Sequence, residues 1–389
     1  MDYQVLKEDI ISFAHEIGID KIGFTHAGSF DHMEDSLYDQ KAKGYTTGFE
    51  HGNISERIHP HLIFDQPQSI ISIALAYPTV MTNPLPKERD NKRGMFARAS
   101  WGEDYHHILR DKLALLQDYL TDRLDDVRCK PMVDTGELMD VLVAQRAGLG
   151  FIGRNGLLIT EEFGSWVYLG EMITNLPLPP DQPGEFACGD CYRCIEACPP
   201  SALLGNGQMN ARRCLSYQTQ TKQLMPKEFR RKISTVIYGC DICQYVCPYN
   251  QGIDVHHHPR MEPNPHAVQP SLKHLVTISN REFKETFGSM AGSWRGKKPL
   301  QRNAIIAMAN SRDVTSMPLL IEIMETDNRE VIRATAAWAI AQLQKYHNPV
   351  LIEAMVLQAQ KETDVDIIQE FQEAIDQLRS KRHPPHKQA

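Results

Sequence analysis

Eight cysteines between positions 188 and 247 limit what this chain can become more than any other feature in it. They run Cys188-Gly-Asp-Cys191-Tyr-Arg-Cys194-Ile-Glu-Ala-Cys198-Pro199, then Cys214, then Cys240-Asp-Ile-Cys243-Gln-Tyr-Val-Cys247-Pro248. In a CxxCxxCxxxCP run, three thiolates hold one 4Fe–4S cluster and the cysteine before proline reaches across to a second. The second run is one cysteine short of that pattern and needs a ligand from elsewhere. If Cys198 and Cys247 cross, Cys188, Cys191, Cys194 and Cys247 complete one cluster. Cys198, Cys240 and Cys243 then take Cys214 as the fourth ligand of the other, and Cys129 is left over as an ordinary free thiol. Structural zinc is the alternative for paired CxxC units, but a triple CxxCxxC with two Cys-Pro endings departs from zinc-ribbon spacing. Disulfides would require an oxidising compartment, and the opening Met1-Asp2-Tyr3-Gln4-Val5-Leu6-Lys7-Glu8 has neither the charged region nor the apolar core of an export signal.

The chain has 389 residues, 42% apolar and 23% charged, which is ordinary globular composition with room for two or three domains. Its most apolar stretch, Ser69-Ile-Ile-Ser-Ile-Ala-Leu-Ala-Tyr-Pro78, is too short for a bilayer helix, so a soluble, cytoplasmic protein without membrane contact is expected. A net charge of −7 argues against a polyanionic partner, yet it conceals two basic zones. From Gly205 to Gly239 the chain carries Arg212, Arg213, Lys222, Lys227, Arg230, Arg231 and Lys232 against Glu228 alone, and from Thr286 to Ser311 it carries Arg295, Lys297, Lys298 and Arg302 with no acid. Either a phosphate backbone or plain solvent would suit such faces.

Apolar periodicity predicts an α/β beginning. Leu6, Ile10, Phe13 and Ile17 mark a helix that yields at Gly18 to a strand Lys21–Thr25, and Ser69–Tyr77 reads as a buried strand. A helix is expected from Tyr105 to Leu124, a strand over Lys130–Asp134, a helix from Glu137 to Ala147, and strands at Gly156–Thr160 and Ser165–Ile173. Pro177, Pro179, Pro180 and Pro183 punctuate the approach to the cysteines. Beyond Pro299, helices are expected at Leu300–Ala309, Val314–Met324, Val331–Leu343, Val350–Gln360 and Val365–Leu378, paired as in HEAT-type repeats, with a disordered tail from Ser380. The expected domains are thus 1–180, a mixed α/β domain, 181–260, a ferredoxin-like domain with two clusters, and 261–389, an all-α repeat domain.

Three motifs stand apart from this framework. Gly148-Leu-Gly150-Phe-Ile-Gly153 matches the dinucleotide fingerprint, but a helix precedes it and a strand follows, the reverse of the required order, so the glycines serve a tight turn or close approach. His256-His257-His258, in a loop ending at Pro259, is expected to be a solvated turn rather than a metal site. Asp134 closes a predicted strand just before Thr135-Gly136-Glu137, a position that suits either a helix cap or a catalytic carboxylate.

Nearly the whole chain resembles the epoxyqueuosine reductases, which complete queuosine synthesis in bacterial tRNA. The marks are Arg57-Ile-His-Pro60, Ala97-Arg98-Ala-Ser-Trp101-Gly-Glu-Asp104-Tyr105-His106, Val133-Asp134-Thr-Gly136, Ala147-Gly-Leu-Gly-Phe-Ile-Gly-Arg154-Asn155, both cysteine runs with Cys214, and Arg302-Asn303-Ala304. The resemblance implies reduction of the wobble-position epoxide to an alkene by cobalamin and two 4Fe–4S clusters, in a monomer whose N-terminal domain is similar to that of reductive dehalogenases. It implies cobalamin without a histidine on cobalt, consistent with Leu109 where a DxHxxG motif beginning at Asp104 would need glycine. It implies Asp134 as proton donor and Arg57, Ala97, Asp134, Asn155, Leu158, Leu169 and Ser216 as cobalamin neighbours. The partners implied are a tRNA anticodon stem-loop, met by Lys222, Arg231, Lys297, Lys298 and Arg302, and a ferredoxin or flavodoxin type electron donor. A reductive dehalogenase would be expected to carry an export signal and two complete cysteine runs, and a ferredoxin-like electron carrier would not need the N-terminal domain.

Overall fold

Ser69–Ala76 is buried at every position, as a strand covered on both faces must be. It is the second strand, β2, of an antiparallel sheet ordered β1-β2-β6-β3, where β1 is Lys21–His26, β3 is Cys129–Met132 and β6 is Val167–Thr174. The computed structural model describes residues 2–86 and 88–383, and this sheet belongs to the first of two compact units, Met1–Met81 with Arg98–Tyr217 and Asp241–Pro263. The second unit is Thr82–Ala97 with Gln218–Cys240 and Asn264–Ala389. The stretch 181–260 contributes residues to both units.

Period-two alternation along β2 decides what covers each face. Ile71, Ile73 and Leu75 face α1, Tyr3–Glu16, and α2, Tyr105–Thr121, through Leu6, Ile10, Ile108, Leu109, Leu113 and Leu116. Ile70 faces the opposite layer with Phe30, Leu37, Ile58, Leu142 and Val143, the last two from α3, Asp140–Arg146. The helix starts are chemically marked. Asp2 accepts from the Gln4 amide at 2.9 Å, and Asp104 accepts from the His106 amide at 3.0 Å.

Two boundaries depart from the sequence pattern for one reason. The strand expected to reach Asp134 stops at Met132, and the helix expected from Glu137 starts at Asp140, because Asp134 adopts a left-handed backbone with φ 51°. The Gly148–Gly153 segment follows α3 and enters a small hairpin, β4 (Phe151–Ile152) with β5 (Leu158–Ile159). A Cβ at Gly150 would lie 2.2 Å from the Ile159 carbonyl oxygen, so the glycine serves approach of two backbones.

In the second unit, Met95–Phe96 and Val236–Tyr238 pair in parallel. The helices α4 (Lys297–Asn310), α5 (Met317–Thr326), α6 (Glu330–Leu343), α7 (Pro349–Ala359) and α8 (Val365–Arg379) match the expected five. Asn348 caps α7, whose first residue is Pro349. Helix α6 packs on α4, α5 and α8. The tail expected to be disordered is tied down at its start, where the Lys381 ammonium donates to the Ala341 carbonyl at 2.7 Å and the Arg382 carbonyl accepts from the His347 amide at 3.0 Å. The remainder of that tail lies outside the described residues. No helix among the described residues is long and apolar enough to cross a membrane.

Candidate functional site

β3 delivers the chain to Val133, which is buried, and the left-handed turn at Asp134 then lifts the next side chain outward with 56% of its surface open. Its carboxylate meets a residue from the start of α2. His106 Nε2 is 3.2 Å from Asp134 Oδ2, and His106 Nδ1 is 2.7 Å from Asp104 Oδ1. Burial opposes charge on the imidazole, but hydrogen bonds to Asp104 and Asp134 and the fields of both carboxylates override it and raise the pKa to about 9. The hydrogen bond with His106 in turn lowers Asp134 below the usual carboxylate range, against a burial effect of opposite sign. At neutral pH the pair is an imidazolium beside a carboxylate, with the mobile proton on His106. Tyr105 stacks on the His106 ring at 4.2 Å and on Tyr168 at 4.5 Å, which fixes the imidazole plane. The helix-cap reading of this region belongs to Asp104, not Asp134. His106, which the broken DxHxxG motif left without a role, is brought by the fold to Asp134; the Asp104-x-His106 spacing was its signal.

A polar hub lies in the same unit: Arg98 donates to the Thr79 carbonyl at 2.5 Å and pairs with Asp241 at 3.2 Å, with its guanidinium 4.2 Å from the Tyr245 ring. This ties the segment leading into α2 to the one carrying the second cysteine run.

Several of the residues expected around a cofactor present unused chemistry. Asn155 is buried, and its Nδ2 has no hydrogen-bond partner among the described residues. Burial lowers the Arg57 guanidinium, while the Glu50 charge only partly opposes this. Leu158 and Leu169 share one apolar cluster with Ala74, Ala144, Ala147 and Leu149. The Ser216 amide donates to the Cys214 sulfur. Ala97 belongs to the second unit, where its amide donates to the Tyr238 carbonyl at 2.8 Å. The unpartnered Asn155 amide and the desolvated Arg57 cation are polar groups that a ligand with a polar fringe could engage.

The cysteines are brought together as the counting requires for one cluster. Cys188, Cys191, Cys194 and Cys247 line one pocket with Arg154, Asn155 and Tyr249. Burial, and the neighbouring Cys188 and Cys191 sulfurs, push the Cys247 thiol up. Cys198 and Cys214 are electrostatic neighbours of each other, and Cys214 is pushed up chiefly by burial. Cys243 lies in the first unit, within electrostatic reach of Tyr77, and Cys240 closes a segment of the second. Cys129 sits on β3, away from both runs in sequence, with its thiol raised by burial.

The basic zones are less open than their sequence suggests. Arg212 donates to the Thr46 carbonyl and Arg213 to the Pro200 carbonyl, each at 2.8 Å, and Arg230 forms a buried pair with Glu370 at 2.6 Å. Arg302, expected to meet phosphate, is wholly buried and donates to the carbonyls of Gln218, Thr221 and Gln223 at 2.6, 2.8 and 2.6 Å. It organises backbone and offers nothing to a ligand. Lys222 and Arg231 are exposed, and Lys297 and Lys298 are half-buried in the first turn of α4. Burial, together with the charges of Arg329, Arg302 and Lys222, pushes the Lys298 amine down.

The histidine run is solvated at His256 and His257, which are exposed, but not at His258. His258 is buried and its Nε2 lies 2.6 Å from Asp20 Oδ2, while His257 meets the other Asp20 oxygen. These three ligand atoms lie within 4.8 Å of one another, but the hydrogen bonds to Asp20 already account for the arrangement.

Two family models match the chain, a 4Fe–4S double cluster binding domain over residues 187–250 and epoxyqueuosine reductase QueG, DUF1730, over residues 57–135. An epoxyqueuosine reductase of Listeria monocytogenes is 55% identical over 370 residues, covering 95% of this chain and 97% of the relative. A crystal structure of epoxyqueuosine reductase with a tRNA-Tyr epoxyqueuosine-modified stem loop aligns with a TM-score of 0.93 at 51% identity, covering 96% of this chain and 99% of that one. A Bacillus subtilis epoxyqueuosine reductase structure, described as having its Asp134 catalytic loop swung out of the active site, aligns at 0.92 with 50% identity over 96% of this chain and 98% of that one.

Proposed function

Since this chain belongs to the epoxyqueuosine reductase family, we propose that it reduces the epoxide of epoxyqueuosine in the tRNA anticodon to the alkene of queuosine, with Asp134 delivering protons to the departing oxygen. The observation that carries the assignment of Asp134 is its 3.2 Å contact with His106. Removing the epoxide oxygen as water consumes two electrons and two protons. An ionised Asp134 is no acid by itself. It becomes one by drawing the proton from His106 as negative charge develops on the oxygen, and Asp104 steadies the imidazole on its far side. A relative 50% identical to this chain has a catalytic loop named for an aspartate, which supports the same role here.

Cobalamin, when bound, supplies a cobalt centre reducing enough to open an unactivated epoxide, which no side chain is. Arg57 and Asn155 would meet its polar fringe, Leu158, Leu169 and Ala97 its apolar body, and Ser216 its edge. Clusters ligated by Cys188, Cys191, Cys194 and Cys247 and by Cys198, Cys214, Cys240 and Cys243 would deliver electrons singly from a ferredoxin or flavodoxin type donor.

The tRNA contact is assigned to Lys222, Arg231, Lys297 and Lys298. Basic residues in a first helical turn run against the helix dipole, and Gly296 caps α4 without a side-chain acceptor. Lys297 donates to the Ile278 carbonyl at 3.2 Å, and an approaching phosphate would add a partner for both lysines at this helix start. The paired helices after Pro299 are read as a HEAT-like surface supporting these contacts. The decisive experiment is an anaerobic assay of tRNA carrying epoxyqueuosine, with and without added cobalamin. Queuosine in the digested nucleosides only when cobalamin is present is the expected result, and conversion without it would remove the corrin from the proposal.

A further inference from the structure

Glu171 lies within β6, 1% exposed, between its register partners Ser72 on β2 and Met132 on β3. No donor group among the described residues reaches either carboxylate oxygen. Its hydrogen-bonding neighbour is the Asp140 carboxyl. Two carboxyls can hydrogen-bond only when one of them carries a proton. Burial first, then the Asp140 charge, pushes Glu171 well up; burial and the Asp134 charge raise Asp140 to about 6. Glu171 is the more enclosed of the two by the sheet and the one pushed further toward holding the proton, so it donates and Asp140 accepts.

The second face of Asp140 has a use. Its Oδ2 accepts the backbone N–H of Asp134 at 3.1 Å, across the loop that separates β3 from α3. Asp134 is one of six non-glycine residues with positive φ among the described residues, a conformation that costs on the order of 1 kcal/mol and persists only where neighbours impose it. Met132 is fixed by the sheet and Asp140 by the first turn of α3, so this hydrogen bond closes the loop between two rigid ends.

We propose that Glu171 is a positioning residue for the reaction: by hydrogen-bonding Asp140 it aims that carboxylate at the Asp134 amide, and so holds the left-handed turn that presents the Asp134 side chain. The proposal rests on the reading of Asp134 as the proton-delivering group. It gives a physical reason for a carboxyl in the middle of a sheet, where an apolar residue would pack at lower cost.

The test compares Glu171→Gln, which keeps a donor of the same shape, with Glu171→Leu, which does not. In holoenzyme with full iron and cobalamin content, Glu171→Leu is expected to speed hydrogen exchange in the peptide covering 133–139 at least tenfold. Its kcat should fall about tenfold or more while KM for tRNA stays within twofold; this is a modest share of what general acid catalysis contributes. Glu171→Gln should restore both readouts. If Glu171→Leu loses iron, Asp140→Ala removes the acceptor outside the sheet and should give the same fast exchange. Unchanged exchange in the leucine variant, or a glutamine variant as fast as it, overturns the proposal. Fast exchange with unchanged kcat overturns instead the role of Asp134 on which it rests.

Discussion

His106 stands 3.2 Å from Asp134 through Nε2 and 2.7 Å from Asp104 through Nδ1, one imidazole clamped between two carboxylates. The imidazole and the Asp134 carboxylate are reached from different elements, α2 and the turn after β3, so their pair exists only in the folded chain.

Asp134→Ala should retain iron and cobalamin and lose turnover by about a hundredfold or more, the contribution expected of a positioned proton donor. Single-turnover assays with prereduced enzyme check this, because electron delivery then cannot limit the rate. Wild-type rates in that assay would remove Asp134 from the chemistry.

The pH dependence follows from His106. Its folded pKa, about 9, is above the ordinary value of 6.5, so its stabilising pair is fully present below 6.5 and is lost as pH rises through about 9. Turnover should fall over the same alkaline range. His106→Gln should lower the rate and abolish that limb, and the alkaline fall in Tm should flatten with it.

Lys297 and Lys298 changed together to alanine should weaken tRNA binding and make its salt dependence shallower by up to about two counterions. Filter binding across a salt series measures the slope. An unchanged slope would place the phosphates elsewhere.

Arg302→Ala should act on stability and leave the salt slope alone. It strips three backbone carbonyls of a buried charged donor, at roughly 1 to 3 kcal/mol for each group left unsatisfied. Thermal unfolding separates this outcome from a binding defect.

Iron analysis after anaerobic purification should give about eight atoms per chain, and Cys214→Ser about four, since one cluster would lose a ligand. Cys129→Ser should leave the count unchanged. A count near eight in Cys214→Ser would require a different fourth ligand.

The sequence alone determined what depends on local order. Cysteine spacing selected cluster chemistry, because ligands three residues apart can face one metal centre without help from the rest of the fold. Apolar periodicity placed the strands at Lys21 and Ser69 and the five C-terminal helices within a few residues, because burial on one face leaves a 2.0 or 3.6 repeat. Spacing could not say which charges would remain available. Arg302 and Lys298 look alike in a basic run, but only packing decided that one is wholly buried against carbonyls and the other remains partly open at a helix start. Nor could it join His106, Asp134, Asp140 and Glu171, whose polar contacts link α2, a loop, α3 and a sheet strand. Their protonation is a property of that enclosure: burial and mutual charge set it, and both exist only once the strands and helices have closed around them.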